Sequence, residues 1–455
     1  VPFRLTIIHP CIGRTAGQTD YIRTWQMESL PAAVLAGLTP PDVEVKFYDD
    51  RMERIPYDEP TDAVAITVET YTAKRAYQIA SEYRRRKIPV VMGGFHAALC
   101  PDEVAEYAEA VVVGEAEGLW PAVIDDLQHD TLQKFYRRSN GRPSLRNLSP
   151  DRRIFRGKRY LPVGLVEAGR GCHFKCDFCA VQTVFNASQT CRPVDEIIDE
   201  VRRVSRTAKL LFFVDDNITS NMPQAKEFLR ELAKVNVRWV SQSSINAAHD
   251  EEFLDLLARS GCMGVLIGFE SLNPATLKKM NKTFNTAHGG FAAAVAKLRA
   301  RKIRVYATFV FGYDEDEEST FPATVKFAQE CGFYIAAFNH LTPFPGTPLY
   351  SRLRAEGRLL YDKWWLDPHY TYNRIPFQPR RLSPEALQRA CLNARRRFYS
   401  WPSILRRGFD PVNRSDGFMW RNFYLINALH RADVSQRDGY PLGDEGHRID
   451  LLRAN

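Results

Sequence analysis

The strongest constraint on this chain is a regular alternation of strand and helix signals that runs twice, in two separate series. In the first series, apolar β-branched runs fall at Leu5–Ile8, Val43–Tyr48, Ala63–Val68, Pro89–Met92 and Ala110–Val113, with helical patterns between several of them, notably Ala73–Arg86 and Asp102–Tyr107. In the second, strand signals at Val163–Ala168, Leu210–Val214, Trp239–Ser243, Gly264–Phe269, Val305–Phe311 and Ile335–Leu341 are separated by helical stretches from Val194–Val204 to Phe321–Cys331. Such alternation predicts parallel sheets covered by helices.

The fold class is therefore α/β. Five strands over residues 1–128 suit a flavodoxin-like (Rossmann-like) domain. Six βα units over residues 161–350 suit a partial (β/α)6 barrel. Residues 129–160 read as a connection with room for a short hairpin, and residues 351–455 as an α-rich C-terminal substrate or capping region containing Trp364, Trp365, Trp401 and Trp420. Both architectures bind ligands at the carboxyl ends of their strands.

At one such end stands a cysteine loop, Gly169-Arg-Gly-Cys-His-Phe-Lys-Cys-Asp-Phe-Cys179. Cys172, Cys176 and Cys179 follow the spacing C-x3-C-x2-C. Three thiolates this close can hold three irons of a cubic cluster and leave the fourth iron open. A closed zinc site would want four ligands. A zinc knuckle or three incidental thiols remain the alternatives. The other cysteines, at 11, 100, 191, 262, 331 and 391, are scattered, which suits a reducing cytoplasm rather than a disulfide framework.

No apolar run reaches the roughly 18 to 20 residues of a membrane span, and the first ten residues lack the marks of a secretory signal. A net charge of +8 gathers in clusters such as Arg84–Lys87, Arg380-Arg381, Arg395–Arg397 and Arg406-Arg407. These read either as solvated helix faces or as attraction to anionic substrates or to a membrane surface, hence peripheral membrane association. Nothing resembles a nucleic-acid-binding module.

The cysteine loop, with Phe178 before its last cysteine, resembles the radical S-adenosylmethionine (SAM) superfamily. The resemblance implies a [4Fe-4S] cluster on the three cysteines, SAM on the open iron, and an adenosyl radical released on reduction. It implies SAM contacts at Phe178, at Asp215 and Asp216 after the second barrel strand, at Glu270 after the fourth, and near Phe311 after the fifth. Ordinary alternatives exist for the three strand-end sites. Asp216 or Asn217 could cap a helix, Glu270 could cap the helix near Pro274, and Phe311 could be core. The segment Leu277–Lys282 and the rim sequence Pro343–Pro348 also resemble the family.

The N-terminal series joined to such a barrel resembles the cobalamin-dependent (B12-binding) branch. The segments concerned are Val90–His96, containing Gly93 and Gly94, and Val111–Glu115, containing Gly114 and Glu115; Glu69 lies at a neighbouring strand end. Glycine there lets backbone approach a corrin. The Asp-x-His-x-x-Gly motif of many cobalamin domains is replaced by His9-Pro10-Cys11-Ile12-Gly13-Arg14, so no histidine of this loop is expected on cobalt. Turn or supporting roles suit His9 and His96. The loop Asp20–Glu28 is a candidate cover for corrin or substrate, or part of the core.

The run Asn339–Tyr350 and the tail look like the subgroup containing the anaerobic magnesium-protoporphyrin monomethyl ester cyclase and the hopanoid methylases. The implied reaction is C-methylation. The adenosyl radical removes hydrogen from a substrate carbon, methylcobalamin supplies the methyl group, and a second SAM restores it. Tyr71, Tyr306 and His340 are candidate polar contacts near strand ends. The substrate would be a small molecule or a lipid- or tetrapyrrole-like one, and the reductant a flavodoxin or ferredoxin. Cyclisation, with oxygen insertion from water, is the alternative reaction. A non-catalytic cobalamin sensor or scaffold is the alternative class.

Overall fold

The computed structural model describes residues 2–17, 26–286, 290–436, 438–447 and 450–454. The chain divides into two compact units. The first comprises residues 1–161, 363–372 and 439–455, and the second residues 162–362 and 373–438. The tail thus contributes to both. Residues 20–25 of the suggested covering loop lie outside the described residues.

The first unit is built on six parallel strands: β1 (Phe3–His9), β2 (Val43–Asp49), β3 (Ala63–Thr67), β4 (Val90–Gly93), β5 (Ala110–Val113) and β6 (Phe135–Arg137), in the order β2-β1-β3-β4-β5-β6. The first five follow the doubly wound order, which reverses direction between β1 and β3. Their sequences explain the burial: β3 and β4 are continuous apolar runs, as strands covered on both faces must be. β6 arises within residues 129–160, which read as a connection. It is a parallel edge strand of three residues rather than a hairpin, and its exposed Arg137 blunts the edge. A short parallel pair, Gly13–Arg14 with Gly443–Asp444, ties the C-terminal segment into this unit.

The second unit has six parallel strands in sequence order: β7 (Val163–Val166), β8 (Leu210–Phe213), β9 (Trp239–Ser243), β10 (Cys262–Glu270), β11 (Arg304–Phe311) and β12 (Ile335–His340). Helices Val194–Val204, Met222–Leu232, Glu251–Arg259, Gly290–Ala300 and Thr320–Glu330 make the crossovers. This strand order is that of a (β/α) barrel left open.

The two faces of this sheet differ. Ile267, Phe269, Val305, Ala307, Phe309, Phe311, Ala336 and Phe338 are buried beneath the helices, where phenyl rings at 269, 309, 327, 333 and 338 form a continuous cluster. The alternate residues Leu266, Gly268, Tyr306, Thr308 and Val310 stay half-buried. Because side chains alternate along a strand, the sequence itself divides core face from open face. Helices Pro384–Phe398, Trp401–Gly408 and Gly417–Gln436 complete the unit. No helix among the described residues is long and apolar enough to cross a membrane.

Candidate functional site

The cysteine loop leaves the carboxyl end of β7 as the tip of a small hairpin. Gly169–Gly171 pairs antiparallel with Gln189–Cys191, and residues 172–188 lie between. Two carboxylates at the end of β8 fix its entry. Asp215 is buried, and its Oδ1 accepts the Ala168 N–H at 2.8 Å. Burial holds its carboxyl well above the ordinary range, opposed by the backbone N–H donors of Ala168 and Gly169. Asp216 Oδ2 accepts the Gly171 N–H at 2.7 Å. Both side chains therefore brace the backbone just before Cys172, and neither caps a helix. Asn217, next in sequence, sends Nδ2 towards Cys172 Sγ at 3.7 Å.

The far side of the loop rests on the segment after β10. Asp177 N–H donates to Met280 O, Asn281 Nδ2 donates to Lys175 O at 2.9 Å, and Phe174 stacks on Phe284 at 4.1 Å. From β11, Tyr313 donates its hydroxyl to Asp177 Oδ1 at 2.6 Å. Arg352 lies 3.5 Å from the other carboxylate oxygen. Loop position is thus set by side chains from several strand ends. Phe178 is half-buried against the core.

Cys176 is buried and Cys172 and Cys179 half-buried. Burial pushes the Cys176 thiol up to about 12, while the Lys282 ammonium pulls it down and the other two cysteines push it further up. Among the described residues, no three cysteine, histidine or acidic side chains converge on a single metal ion. A cubane asks for a different arrangement, with one thiolate on each of three separate irons. Three neighbouring thiols beside a cation, on a loop braced from both sides, fit that donor set. Ligation would remove the protons that burial now retains.

Glu270 ends β10 in an unusual conformation. Its φ is +63°, at a register shift in the β10–β11 pairing. Left-handed backbone at a residue other than glycine or asparagine is rare and strained. The side chain curls back over Gly268, where a Cβ would stand 2.2 Å from Glu270 Oε1. There it accepts from Lys282 Nζ at 2.7 Å, in a buried ion pair. Asn285 supports the bulge, donating to Gly268 O at 3.1 Å and Phe269 O at 3.2 Å. Lys282 and Asn285 are site residues that the motifs do not single out. Their signal is the run beginning at Leu277, which the resemblance marks only as a continuation.

Phe311 points elsewhere. Its ring packs at 4.8 Å on Phe321 within the core, and the backbone beyond it is engaged as well, Gly312 and Tyr313 N–H donating to Asp316 Oδ2 at 2.7 and 3.2 Å. Tyr306 sits on the half-buried face, in register with Leu266 and Ile335. His340 alternates with Phe338 on the opposite, core face. Burial pushes its ring down to about 3, and Nε2 has no hydrogen-bond partner there.

In the first unit, the carboxyl ends of β1, β3, β4 and β5 form the corresponding rim. His9 Nδ1 lies 3.1 Å from Ser29 Oγ and 3.2 Å from Thr67 Oγ1, where the strand order reverses. Burial lowers its ring to about 4. His96 is fully buried between Thr70 Oγ1 at 3.2 Å and Glu103 Oε1 at 3.1 Å, a structural role. Glu69 is exposed at the rim yet recessed enough that desolvation raises its carboxyl to about 7, against a hydrogen bond from the Phe95 N–H. Glu115 is held by Arg142 through two bonds of 2.7 and 2.8 Å. Tyr71 packs on Trp364 at 4.9 Å and Tyr372 at 5.3 Å.

The rim glycines divide by function. Gly93 follows Met92 at the end of β4 and has room for a Cβ. Gly94 has φ +112° and lies against the Val68 backbone, where a Cβ would come within 2.8 Å of the carbonyl oxygen. It closes the turn. Gly114 has φ +94° and nothing within 4 Å of a Cβ position, so the backbone there is open to a flat ligand. At this rim Gly114 leaves room for a ligand, whereas Gly94 serves the fold.

The radical SAM superfamily profile matches residues 166–328. The chain is 33% identical over 399 residues to the bacteriochlorophyllide d C-12(1)-methyltransferase of Chlorobaculum tepidum, covering 85% of each chain. It is 28% identical to that organism's bacteriochlorophyllide d C-8(2)-methyltransferase, over 82% of this chain and 86% of the relative. The radical SAM methyltransferase TsrM of Kitasatospora setae, solved with cobalamin and a [4Fe-4S] cluster, shares the fold. Its TM-score is 0.65 at 16% identity, over 96% of this chain and 100% of TsrM.

Proposed function

Since the chain belongs to the radical SAM superfamily, we propose that this enzyme is a cobalamin-dependent C-methyltransferase acting on an apolar, tetrapyrrole-like molecule. The observation that carries the reading is the cysteine loop braced by Asp215, Asp216 and Asn281 in a chain related over most of its length to bacteriochlorophyllide methyltransferases. When bound, the cluster supplies the electron that cleaves SAM and the corrinoid supplies the methyl group.

The protein's own residues do the rest. Cys172, Cys176 and Cys179 hold the three ligated irons. The Glu270–Lys282 pair sets the floor beside them and offers an acceptor and a donor to SAM's polar groups. The N–H groups after Phe311 are held by Asp316, so this strand end brings a fixed turn rather than free donors to the site. Tyr306 lies on the face where substrate would meet the strands, and a phenol held neutral by burial can hydrogen-bond without ionising. Gly114 and Glu69 contribute the corrinoid rim. His340, on the core face, has no part in this scheme.

Anaerobic turnover of the reconstituted, cobalamin-loaded enzyme with a bacteriochlorophyllide tests the proposal. A product one methyl group heavier, with both 5′-deoxyadenosine and S-adenosylhomocysteine released, supports it. Deoxyadenosine without the homocysteine favours cyclisation. No SAM cleavage with cluster and reductant present returns the chain to the scaffold class.

A further inference from the structure

The C-terminal helices of the second unit carry an apolar stripe that their packing leaves outside. On helix Trp401–Gly408, the inward face is fixed. Ile404 is fully buried, and Arg407 donates to Phe333 O and Phe398 O at 3.0 Å each and to Asn427 Oδ1 at 3.0 Å. The helix therefore cannot roll to hide its other side. Trp401, Leu405 and Phe409, four residues apart, are 50%, 49% and 62% exposed. The neighbouring helix Gly417–Gln436 adds Trp420 and Leu425, with Trp420 Nε1 bonded to Gly408 O at 3.0 Å.

Arginines share these helices with the stripe. Arg396, Arg397, Arg406, Arg421 and Arg431 are exposed on the same three helices. Arg431 lies 5.7 Å from the Trp401 ring centroid. Arg396, Trp401 and Arg431 line a cavity of about 520 Å³. Of the neighbouring acids, Asp410 pairs with Arg299 at 2.9 Å and Asp416 accepts the Met419 N–H at 2.9 Å, while Asp433 is half-buried between the cavity-lining Ala432 and Val434 and is outnumbered there by Arg396 and Arg431. Exposed tryptophan, leucine and phenylalanine on the same helices as arginine match one partner, the interface of an anionic bilayer. Aromatic and apolar side chains enter the acyl boundary while guanidinium groups meet phosphates. We propose that this face docks the protein on anionic membrane surfaces, with a lipid phosphate in the arginine-lined cavity. The inference is independent of turnover.

Flotation of the full-length protein with vesicles tests it. Binding to mixed phosphatidylglycerol–phosphatidylcholine vesicles is expected, with release at high salt and little binding to phosphatidylcholine alone. The exposed-site variant Leu405→Ser/Phe409→Ser should keep its melting temperature and bind at least ~10-fold more weakly. Arg406→Gln and Arg421→Gln should each weaken binding roughly fivefold. The proposal is overturned if the parent does not float, if it floats equally on uncharged vesicles, or if the serine variant floats as well. It is also overturned if sedimentation shows that variant dissociating a dimer that itself does not float, because the stripe then joins two copies.

Discussion

At the edge of β3 and β4 in the first unit, polar side chains satisfy one another: His96 with Glu103 and Thr70, and, beyond β5, Glu115 with Arg142. At the edge of β7 to β11 in the second unit, the same residue types turn to the backbone of a loop: Asp215 to Ala168, Asp216 to Gly171, Asn281 to Lys175. Both rims end parallel sheets of six strands. One is a self-contained frame that leaves glycine backbone open; the other is a cradle that holds three thiols in place. Topology alone does not assign chemistry to a rim. The direction of its carboxylates distinguishes the two.

The comparison is broken most severely at Cys176. Cys176→Ala should abolish cluster absorbance after anaerobic reconstitution and all SAM cleavage, while the fold of both units persists by circular dichroism. Retained iron and activity would mean that the cradle holds something else.

Glu270 comes next. Removing one partner of its buried pair with Lys282 should cost ~3–5 kcal/mol in denaturant unfolding. Glu270→Gly should lose roughly 1 kcal/mol less than Glu270→Ala, because glycine accepts φ +63° without strain. Equal losses would show that the strain is not stored there.

The frame of the first unit answers to acid. Burial alone would raise Glu103, but bonds from His96, Trp365 and Lys363 bring its carboxyl down to about 2. A depressed folded value contributes stability that is complete above the unfolded value near 4.5 and lost as pH falls towards 2. Glu103→Gln should destabilise by up to ~3 kcal/mol at pH 7, with the difference from parent vanishing near pH 2. A pH-independent difference would contradict that linkage.

The smallest effect is expected at Glu69, whose folded value is raised to about 7. Its ionisation opposes folding, so stability falls as pH rises from about 4.5 to 7. Glu69→Gln should raise the melting temperature at pH 8 and leave it nearly unchanged at pH 4. Bound corrinoid should shift that profile if Glu69 lies on its site.

Much of this architecture is legible in the sequence because period-two burial writes itself into strands such as Val305–Phe311, where alternate residues face the helices. The cysteine spacing is equally plain. Three kinds of feature are not. β6, with three residues, is too short to register as a strand. The partners of Asp215 and Asp216 are backbone N–H groups more than forty residues away, which no local pattern encodes. The side chains of Phe311 and His340 are aimed by strand register into the core, although both lie at strand ends where a linear reading expects ligands. Lys282 escapes notice for the opposite reason: an exposed-looking lysine run delivers one member to a buried carboxylate.

The central claim is that the methyl group reaches a carbon of the substrate from a corrinoid. A single anaerobic turnover of enzyme loaded with trideuteromethyl-cobalamin, using unlabelled SAM, tests it most directly. The account predicts that the deuterated methyl group appears on the product. A product carrying an unlabelled methyl group, or oxygen from water in its place, would contradict it.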